Sequence, residues 1–279
     1  MNNGWTLRGY SVFRFVFGVY LLVHFVQLMP WAEEMFSNAG VLPDASASPF
    51  MAAFPNLFAY VDSPLIATMV LVAAVGLSGM LALGRKDRVA AVLLWYLMAC
   101  LFGRNPLISN PSLPYVGMLL LLHAAKPSDW AMPPALHRVA WALMSLGYSY
   151  SGYTKLISPS WQDGTAMRRV LDNPLARPGV VHDFTAALPD WLLQVSTWGA
   201  LGLELLFAPL ALLARARPWI WAAMLALHLS LIVLIDFADL SLGMVMLHLF
   251  TFDPRWFQRR QPKVERVSTM DSDPIPERT

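Results

Sequence analysis

The chain has 279 residues, of which 57% are hydrophobic and 14% are charged, and its mean hydropathy is +0.49. Charged residues make up about a quarter of an ordinary soluble domain, so the composition excludes that class and indicates a membrane protein. The net charge of +2 is small and says little about partners, because in membrane proteins the distribution of charge matters more than its sum.

A helix needs roughly 20 apolar residues to cross the bilayer core of about 30 Å. Eight apolar runs approach that length: 10–30, 64–84, 88–104, 112–126, 136–156, 191–214, 218–236 and 238–253. The third, fourth and eighth runs are short, so the count is accurate to within one. The sequence therefore predicts an all-α, polytopic helical membrane protein with about eight transmembrane helices.

Basic residues should concentrate in alternate, cytoplasmic loops. The loop after the first run is acidic, whereas the next turn, 85–88, and the turn 215–217 are basic, as is the stretch after residue 254. This alternation predicts that both termini are cytoplasmic. It also predicts that Lys155, at the end of the fifth run, lies near the outer face of the plasma or bacterial inner membrane.

The two longest loops, 31–63 and 157–190, fall on the predicted outer side, and we expect a short interfacial helix in each. In the first loop this helix would carry aromatic residues, namely Phe50, Phe54, Phe58 and Tyr60. In the second it would cover 163–171, with Asp163 as its N-cap. Residues 1–257 form one predicted transmembrane domain, and the polar tail 258–279 is predicted to be disordered.

Polar groups inside the spans need partners, because an unsatisfied group in hydrocarbon costs several kcal/mol. The unusual residues at or within the spans are Arg14, His24, Arg104, Asn105, Asn110, His123, Lys155, Glu204, His228, Asp236 and His248. We expect several of them to converge on one polar interior. The histidines lack the i, i+3 or i, i+4 spacing of a local ligand pair, so no metal site is predicted. The single cysteine, Cys100, lies in an apolar run and is expected to be a buried, inert thiol.

Lys155 is the residue of greatest interest, since an ionisable group near a membrane helix is a functional hypothesis by default. A desolvated lysine can become a neutral amine and remove a proton from an acidic hydroxyl such as that of a quinol. The alternative is that Lys155 only anchors the helix at the headgroup level. Spacing does not separate these hypotheses.

The segment SGYTKLISPSWQDGTAM, 151–167, resembles the glycine, lysine, leucine, tryptophan and glycine signature of the HTTM family. This family comprises the membrane domain of vitamin K-dependent γ-glutamyl carboxylases and bacterial relatives such as sporulation-delaying protein B. Three further elements resemble the family in the same order: Arg14 with Gly18, GRNPLISNP at 103–111, and LSLGMVMLHLFTFDP at 240–254. Glu204 falls where family members often carry an acidic residue.

The resemblance implies a chemistry in which Lys155 deprotonates reduced vitamin K or menaquinol. Oxygenation of the resulting anion would then generate a strong base that removes a proton from a peptide. His228 resembles a histidine of the penultimate span and is the second catalytic candidate. The residues that the resemblance implies for substrate or cofactor binding are Arg104, Asn105, Asn110, Tyr153, Trp161, Asp163, Gly164 and Glu204.

The chain departs from the carboxylases in two respects. Asn110 is followed by Pro111 where the carboxylases have a histidine, and the large lumenal region of the carboxylases is not expected here. Stand-alone relatives act with partner proteins on a secreted peptide. The alternative hypothesis is therefore a non-catalytic partner for maturation or export of such a peptide, with a small partner protein. A solute transporter is the weakest alternative, because no inverted repeat is visible. The expected partners are the bilayer, a lipid quinone and the peptide, and no nucleic acid.

Overall fold

Residues 4–257 are described by the computed structural model; the tail 258–279, predicted to be disordered, lies outside them. Within the described range, the α-helices are α1 (Leu7–Leu28), α2 (Ala32–Phe36), α3 (Pro64–Leu83), α4 (Asp87–Arg104), α5 (Leu113–Ala125), α6 (Pro134–Lys155), α7 (Pro159–Gln162), α8 (Ala166–Leu171), α9 (Val180–Ala186), α10 (Asp190–Leu212), α11 (Arg217–Leu234) and α12 (Ala238–Thr251). This confirms the all-α prediction.

The eight long helices coincide with the eight apolar runs to within three residues at either end. Four segments are long and apolar enough to cross a membrane: Leu7–Phe36, Pro64–Leu83, Asp190–Leu212 and Arg217–Leu234. Two further apolar helices, α5 and α12, are shorter than a full crossing. The helices of the prediction are thus confirmed, while the number that cross a membrane stays a prediction.

Local sequence signals place the helix ends. The Thr6 hydroxyl accepts a hydrogen bond from the backbone N–H of Gly9 at 3.0 Å and caps the start of α1. Ser63 caps α3 in the same way, with Pro64 at the first helical position, where a missing N–H costs nothing. Gly84 then ends α3 in the left-handed conformation, with a φ of 71°, which favours glycine.

Successive long helices run in opposite directions, so their ends form two surfaces. We call the terminal end the surface that carries Trp5, the turns 84–87, 125–134 and 212–217, and Phe252. There the Trp5 indole donates to the Phe252 carbonyl at 2.9 Å. We call the loop end the opposite surface, which carries the connections 29–63, 105–112, 156–189 and 235–237. Lys155 and the start of α12 lie at the loop end.

The core between the helices is aromatic and closely packed. Phe13, Phe17 and Phe250 are buried, and the rings of Phe13 and Phe250 meet edge to face at 5.3 Å. At Gly18 the backbone of α1 approaches α3 so closely that a Cβ there would lie 2.5 Å from the Ala82 nitrogen. Small residues permit such contacts between helix backbones, which are a common basis of packing in membrane bundles. Cys100 is buried and free, as predicted.

The prediction of one interfacial helix in each long loop was wrong in detail. In the first loop the helix is α2, five residues long, and the aromatic stretch 50–60 consists of turns with one short 3-10 turn at Leu57–Ala59. Pro55 lacks the N–H that a helix would need there, and Phe58 is buried in the core. The second loop contains three short helices, α7, α8 and α9.

Asp163 is not an N-cap, because α8 begins three residues later and Thr165 holds that position. Its carboxylate instead accepts hydrogen bonds from the backbone N–H of Thr165 at 2.8 Å and from the Thr165 hydroxyl at 2.6 Å. These hydrogen bonds lower the pKa of Asp163, which is exposed to solvent. The side chain therefore stabilises the turn that leads into α8.

Candidate functional site

Lys155 ends α6 and forms an ion pair with Glu204 of α10, its Nζ contacting Oε1. The Glu204 side chain is 7% exposed and that of Lys155 is 26% exposed. A carboxylate buried to that extent requires a compensating charge, so the structure places together two of the residues predicted for the site. The second carboxylate oxygen, Oε2, is buried and makes no hydrogen bond within the described part of the chain.

The close approach of α6 and α10 positions this pair. A Cβ added at Gly152 would lie 2.7 Å from the backbone nitrogen of Leu205. Pro209 lies inside α10 and has no N–H to donate to the Leu205 carbonyl. The Ser149 hydroxyl contacts this carbonyl at 3.2 Å and so supplies a substitute donor. Gly152, Ser149 and Pro209 together hold α10 against the end of α6.

Trp161 covers the Lys155 amine from the second loop. The Lys155 Nζ lies 4.6 Å from the centroid of the Trp161 ring, within the range of a cation–π contact. Trp161 belongs to α7, and the amide of Gln162 fastens this helix to the Leu156 carbonyl at 2.5 Å. Lys155 is therefore held between a carboxylate and an aromatic ring.

A second group of polar side chains lies deeper along the same face of α6. The Tyr148 hydroxyl is 2.8 Å from His228 Nε2 and 3.5 Å from His248 Nδ1. His248 Nδ1 donates to the Met244 carbonyl at 3.0 Å, so His248 Nε2 has no hydrogen when the ring is neutral. The Tyr148 ring also packs on Phe207 at 4.8 Å. Phe207 follows Glu204 by one helical turn, so the histidine group and the ion pair are neighbours.

A separate cluster surrounds Asp239 at the start of α12. One carboxylate oxygen, Oδ1, accepts from the Tyr20 hydroxyl at 3.1 Å and lies 2.9 Å from His24 Nδ1. The other, Oδ2, accepts from the Asn110 amide at 2.7 Å. Asp239 thereby joins α1, the connection before α5, and α12. Asn110 thus belongs to this cluster, and its contacts do not include Lys155.

Arg104 and Asn105 hold the first long loop against the bundle. Arg104 is fully buried, 3.0 Å from the Asp62 carboxylate and 2.7 Å from the Leu42 carbonyl. The Asn105 amide donates to the Met35 carbonyl at 2.8 Å. Both side chains therefore bind the first long loop, through backbone carbonyl groups and the Asp62 carboxylate. The expectation that several polar residues converge holds for Lys155, Glu204, His228 and His248, whereas Arg104 and Asn105 pair elsewhere.

The remaining predicted residues lie around the entrance to the second loop. Tyr153 is 63% exposed on α6. Gly164 has a φ of 81°, and a Cβ there would lie 3.0 Å from the Trp198 ring. Only glycine adopts this turn without strain, so Gly164 shapes the loop that carries Trp161.

Sequence reasoning missed Tyr148 and Asp239. Tyr148 precedes Lys155 by seven residues and so shares its helix face, which was a usable signal. Asp239 lies at the start of the eighth apolar run, and its three partners come from distant parts of the chain, so no local pattern indicated it. Within residues 4–257, no group of three His, Cys, Asp or Glu side chains is arranged to hold a metal ion.

The chemistry available at the loop end is proton transfer. A lysine and a carboxylate are in direct contact, and about two turns of α6 separate them from a tyrosine that contacts two histidines. In comparisons with known proteins, no family model matches the chain, and no curated protein or solved structure matches it significantly.

Proposed function

We propose that the chain is an integral membrane protein of the HTTM kind in which Lys155 removes a proton from a lipid quinol. The observation that carries this proposal is the buried ion pair of Lys155 and Glu204, covered by Trp161. Groups that exchange protons with a substrate are found where burial and a charged partner coincide. The HTTM resemblance names the same lysine as the base.

The membrane arrangement in this proposal has eight spans and both termini in the cytoplasm. Four helices have the length and hydropathy for a crossing, and the antiparallel order of all eight helices supports the same path for the others. The terminal end carries the basic turns 85–88 and 215–217, which favours the cytoplasmic side for that end. Lys155 would then lie near the outer face, within reach of lipid.

The residues around Lys155 fit a quinol of the vitamin K or menaquinone type. Glu204 Oε2 is a buried acceptor that has no hydrogen bond within residues 4–257. Ile157, two residues after Lys155, is 78% exposed, so an apolar ring has an exposed apolar surface to approach beside Trp161. When bound, the quinol would supply the acidic hydroxyl and the subsequent reaction with oxygen.

Lys155 and Glu204 have different roles in the proposed proton transfer. When Lys155 passes one proton to Glu204, a neutral amine and a neutral carboxyl group result, and the total number of protons is unchanged. The amine then accepts the proton of a phenolic hydroxyl, whose reference pKa is about 10, and becomes an ammonium. Its new positive charge stabilises the anion left on the substrate. Trp161 covers one side of the amine.

A second candidate function is the non-catalytic maturation or export partner of a secreted peptide. The observation that favours it is the direct contact of Lys155 with Glu204, because such a pair also serves as a clamp between α6 and α10. In that case the pair would fix the loop end for a peptide or a small partner protein, and no quinol would be consumed.

The test uses purified protein in nanodiscs supplied with reduced vitamin K or menaquinol. Oxygen uptake and quinone-epoxide formation are measured for the wild type and for Lys155→Ala. We expect epoxide from the wild type and a loss of about 100-fold to 10,000-fold in the variant, the usual contribution of general acid–base catalysis. The absence of turnover in folded wild-type protein would instead favour the partner function, and a pull-down of a peptide that tolerates Lys155→Ala would support it.

A further inference from the structure

A cavity of about 280 Å³ opens at the terminal end, between the start of α1, the turn from α3 to α4 and the end of α5. Its polar lining includes Tyr10, Arg14, Asp87, Arg88, His123 and Lys126. A water molecule occupies about 30 Å³ of the liquid, so the cavity has room for a small polyatomic ion with several waters. It lies at the opposite end of the bundle from Lys155 and has no part in the chemistry above.

The lining is strongly cationic. Among the residues that line the cavity, Arg14, Arg88 and Lys126 carry positive charges and Asp87 carries the negative one. The carboxylate lies 3.7 Å from Arg14 Nη1 and 3.4 Å from His123 Nε2, so it offsets about one of the positive charges. The remaining excess is about two positive charges, which is the complement of a doubly ionised phosphate group.

The cations are held in place by bonds that leave donors for a ligand. Arg88 uses Nε to donate to the Ala124 carbonyl at 2.8 Å, and its two terminal nitrogens stay available. Arg14 donates through Nη1 to the Leu81 carbonyl at 3.3 Å and lies against Gly84, where any Cβ would collide with the guanidinium. Planar guanidinium groups fixed in this way favour tetrahedral oxyanions.

His123 provides an independent sign that the cavity receives a ligand. Its side chain is 1% exposed and lines the cavity, and the nearest acceptor to Nε2 is the Asp87 carboxylate at 3.4 Å, too far for a well-formed N–H···O bond. On the other side of the ring, Nδ1 lies 2.9 Å from the Tyr10 hydroxyl. When Tyr10 donates to Nδ1, the hydrogen of the neutral ring is on Nε2. A buried donor with only one long contact is poorly satisfied, and a ligand oxygen in the cavity would complete its hydrogen bonding.

We propose that this cavity binds a phosphate group, carried either by a soluble phosphate compound or by an anionic lipid headgroup. Arg14, Arg88 and Lys126 supply the charge, and His123 Nε2 supplies the directed hydrogen bond. Tyr10 is a positioning residue, because its hydroxyl sets the tautomer of His123 and its ring lies under Lys126, 4.7 Å from Nζ. The Asp87 carboxylate orients Arg14 and His123.

The experiment measures thermal unfolding of the purified full chain in nanodiscs. In phosphatidylcholine nanodiscs, inorganic phosphate is titrated against chloride at equal ionic strength; in a second arm, nanodiscs contain phosphatidic acid. Saturable stabilisation by inorganic phosphate identifies a soluble ligand, and stabilisation by phosphatidic acid alone identifies a headgroup. Either result supports the site. The absence of saturable stabilisation in both arms overturns it.

The variants Arg14→Gln and Lys126→Gln test the assignment of residues, with Arg8→Gln as the matched control. Arg8 is an exposed cation of the same end that does not line the cavity. We expect each cavity variant to weaken the apparent affinity about tenfold or more, as the loss of a charge-assisted hydrogen bond does, and the control to leave it unchanged. Because Arg14 packs tightly, Lys126→Gln keeps the test valid if Arg14→Gln does not fold. Equal losses in all three variants would contradict a defined site.

Discussion

At the scale of single residues, the chain uses direct pairing to keep charge inside an apolar bundle. Lys155 and Glu204, Arg104 and Asp62, and the Asp239 cluster each satisfy a charge close to where it is buried. Removing one partner of a buried ion pair leaves the other charge uncompensated. The resulting loss of folding free energy is far larger than the net contribution of the intact pair. Removing a partner should therefore reduce turnover at a proton-transfer site, whereas at a structural clamp it should reduce only stability. Both quantities can be measured.

The first prediction concerns Lys155→Arg and Glu204→Gln. A guanidinium stays protonated at working pH, so Lys155→Arg keeps the ion pair and the fold but abolishes quinol turnover. Glu204→Gln removes the proton acceptor of the pair, and we expect turnover to fall by about 100-fold or more. Oxygen uptake checks both variants, with thermal unfolding as the measure of folding. Retained turnover in Lys155→Arg would exclude Lys155 as the base.

The second prediction concerns Asp239→Asn, which leaves one of its three hydrogen-bond partners facing a donor in place of an acceptor. We expect the free energy of unfolding to decrease by about 1–3 kcal/mol, the cost of an unsatisfied buried polar group. Asp236→Asn is the control, since Asp236 is exposed and its ion pair with Arg177 is at the surface. Exposed pairs contribute about 0–1 kcal/mol. A smaller decrease in the free energy of unfolding for Asp239→Asn than for Asp236→Asn would contradict the proposed role of Asp239 in its cluster.

At the scale of elements, the contact between α1 and α3 depends on the absence of a side chain at one position. The backbone of Ala82 occupies the space in which a Cβ at Gly18 would lie. Neither helix can move away freely, because Arg14 and the turn at Gly84 fix their ends at the terminal end. Packing at this point is therefore rigid.

The third prediction compares Gly18→Ala with Gly79→Ala. Both replacements occur inside a helix, and each improves the helix propensity of the residue by roughly 1 kcal/mol. A Cβ at Gly79, however, meets no atom within 4 Å. We expect Gly79→Ala to leave thermal stability unchanged or raise it, and Gly18→Ala to lower stability by about 1–3 kcal/mol through overpacking. Equal stabilities of the two variants would mean that α1 and α3 are not in close contact.

At the scale of the whole molecule, the helices and their order could be predicted from the sequence because hydropathy is a local property. The site could be predicted only in part. Lys155 and Trp161 were named together because one short segment carries the family resemblance, whereas the partners of Asp239 come from α1 and from the connection before α5. The aromatic stretch 50–60 did not form a helix, because Pro55 interrupts it and tertiary packing draws Phe58 into the core.

The fourth prediction concerns the membrane arrangement. In a Cys100→Ala background, single cysteines are introduced at exposed positions of the loop end, Ala52 and Ala187, and of the terminal end, Ser128 and Ala214. A membrane-impermeant maleimide applied to intact cells should label the first two and not the last two, because the basic turns favour the cytoplasm. Labelling at both ends, or the opposite pattern, would contradict eight spans with cytoplasmic termini.

The most direct test of the central claim, that the amine at position 155 accepts the substrate's proton, is chemical rescue. The variant Cys100→Ala/Lys155→Cys is assayed for quinol-dependent oxygen uptake before and after alkylation with bromoethylamine, which attaches an amine of nearly the length of lysine. Iodoacetamide, which adds a neutral group, is the control. We predict an inactive variant that recovers turnover by about tenfold or more only with the amine. Turnover in the untreated variant, equal recovery with both reagents, or no turnover in the unmodified wild type would contradict the account.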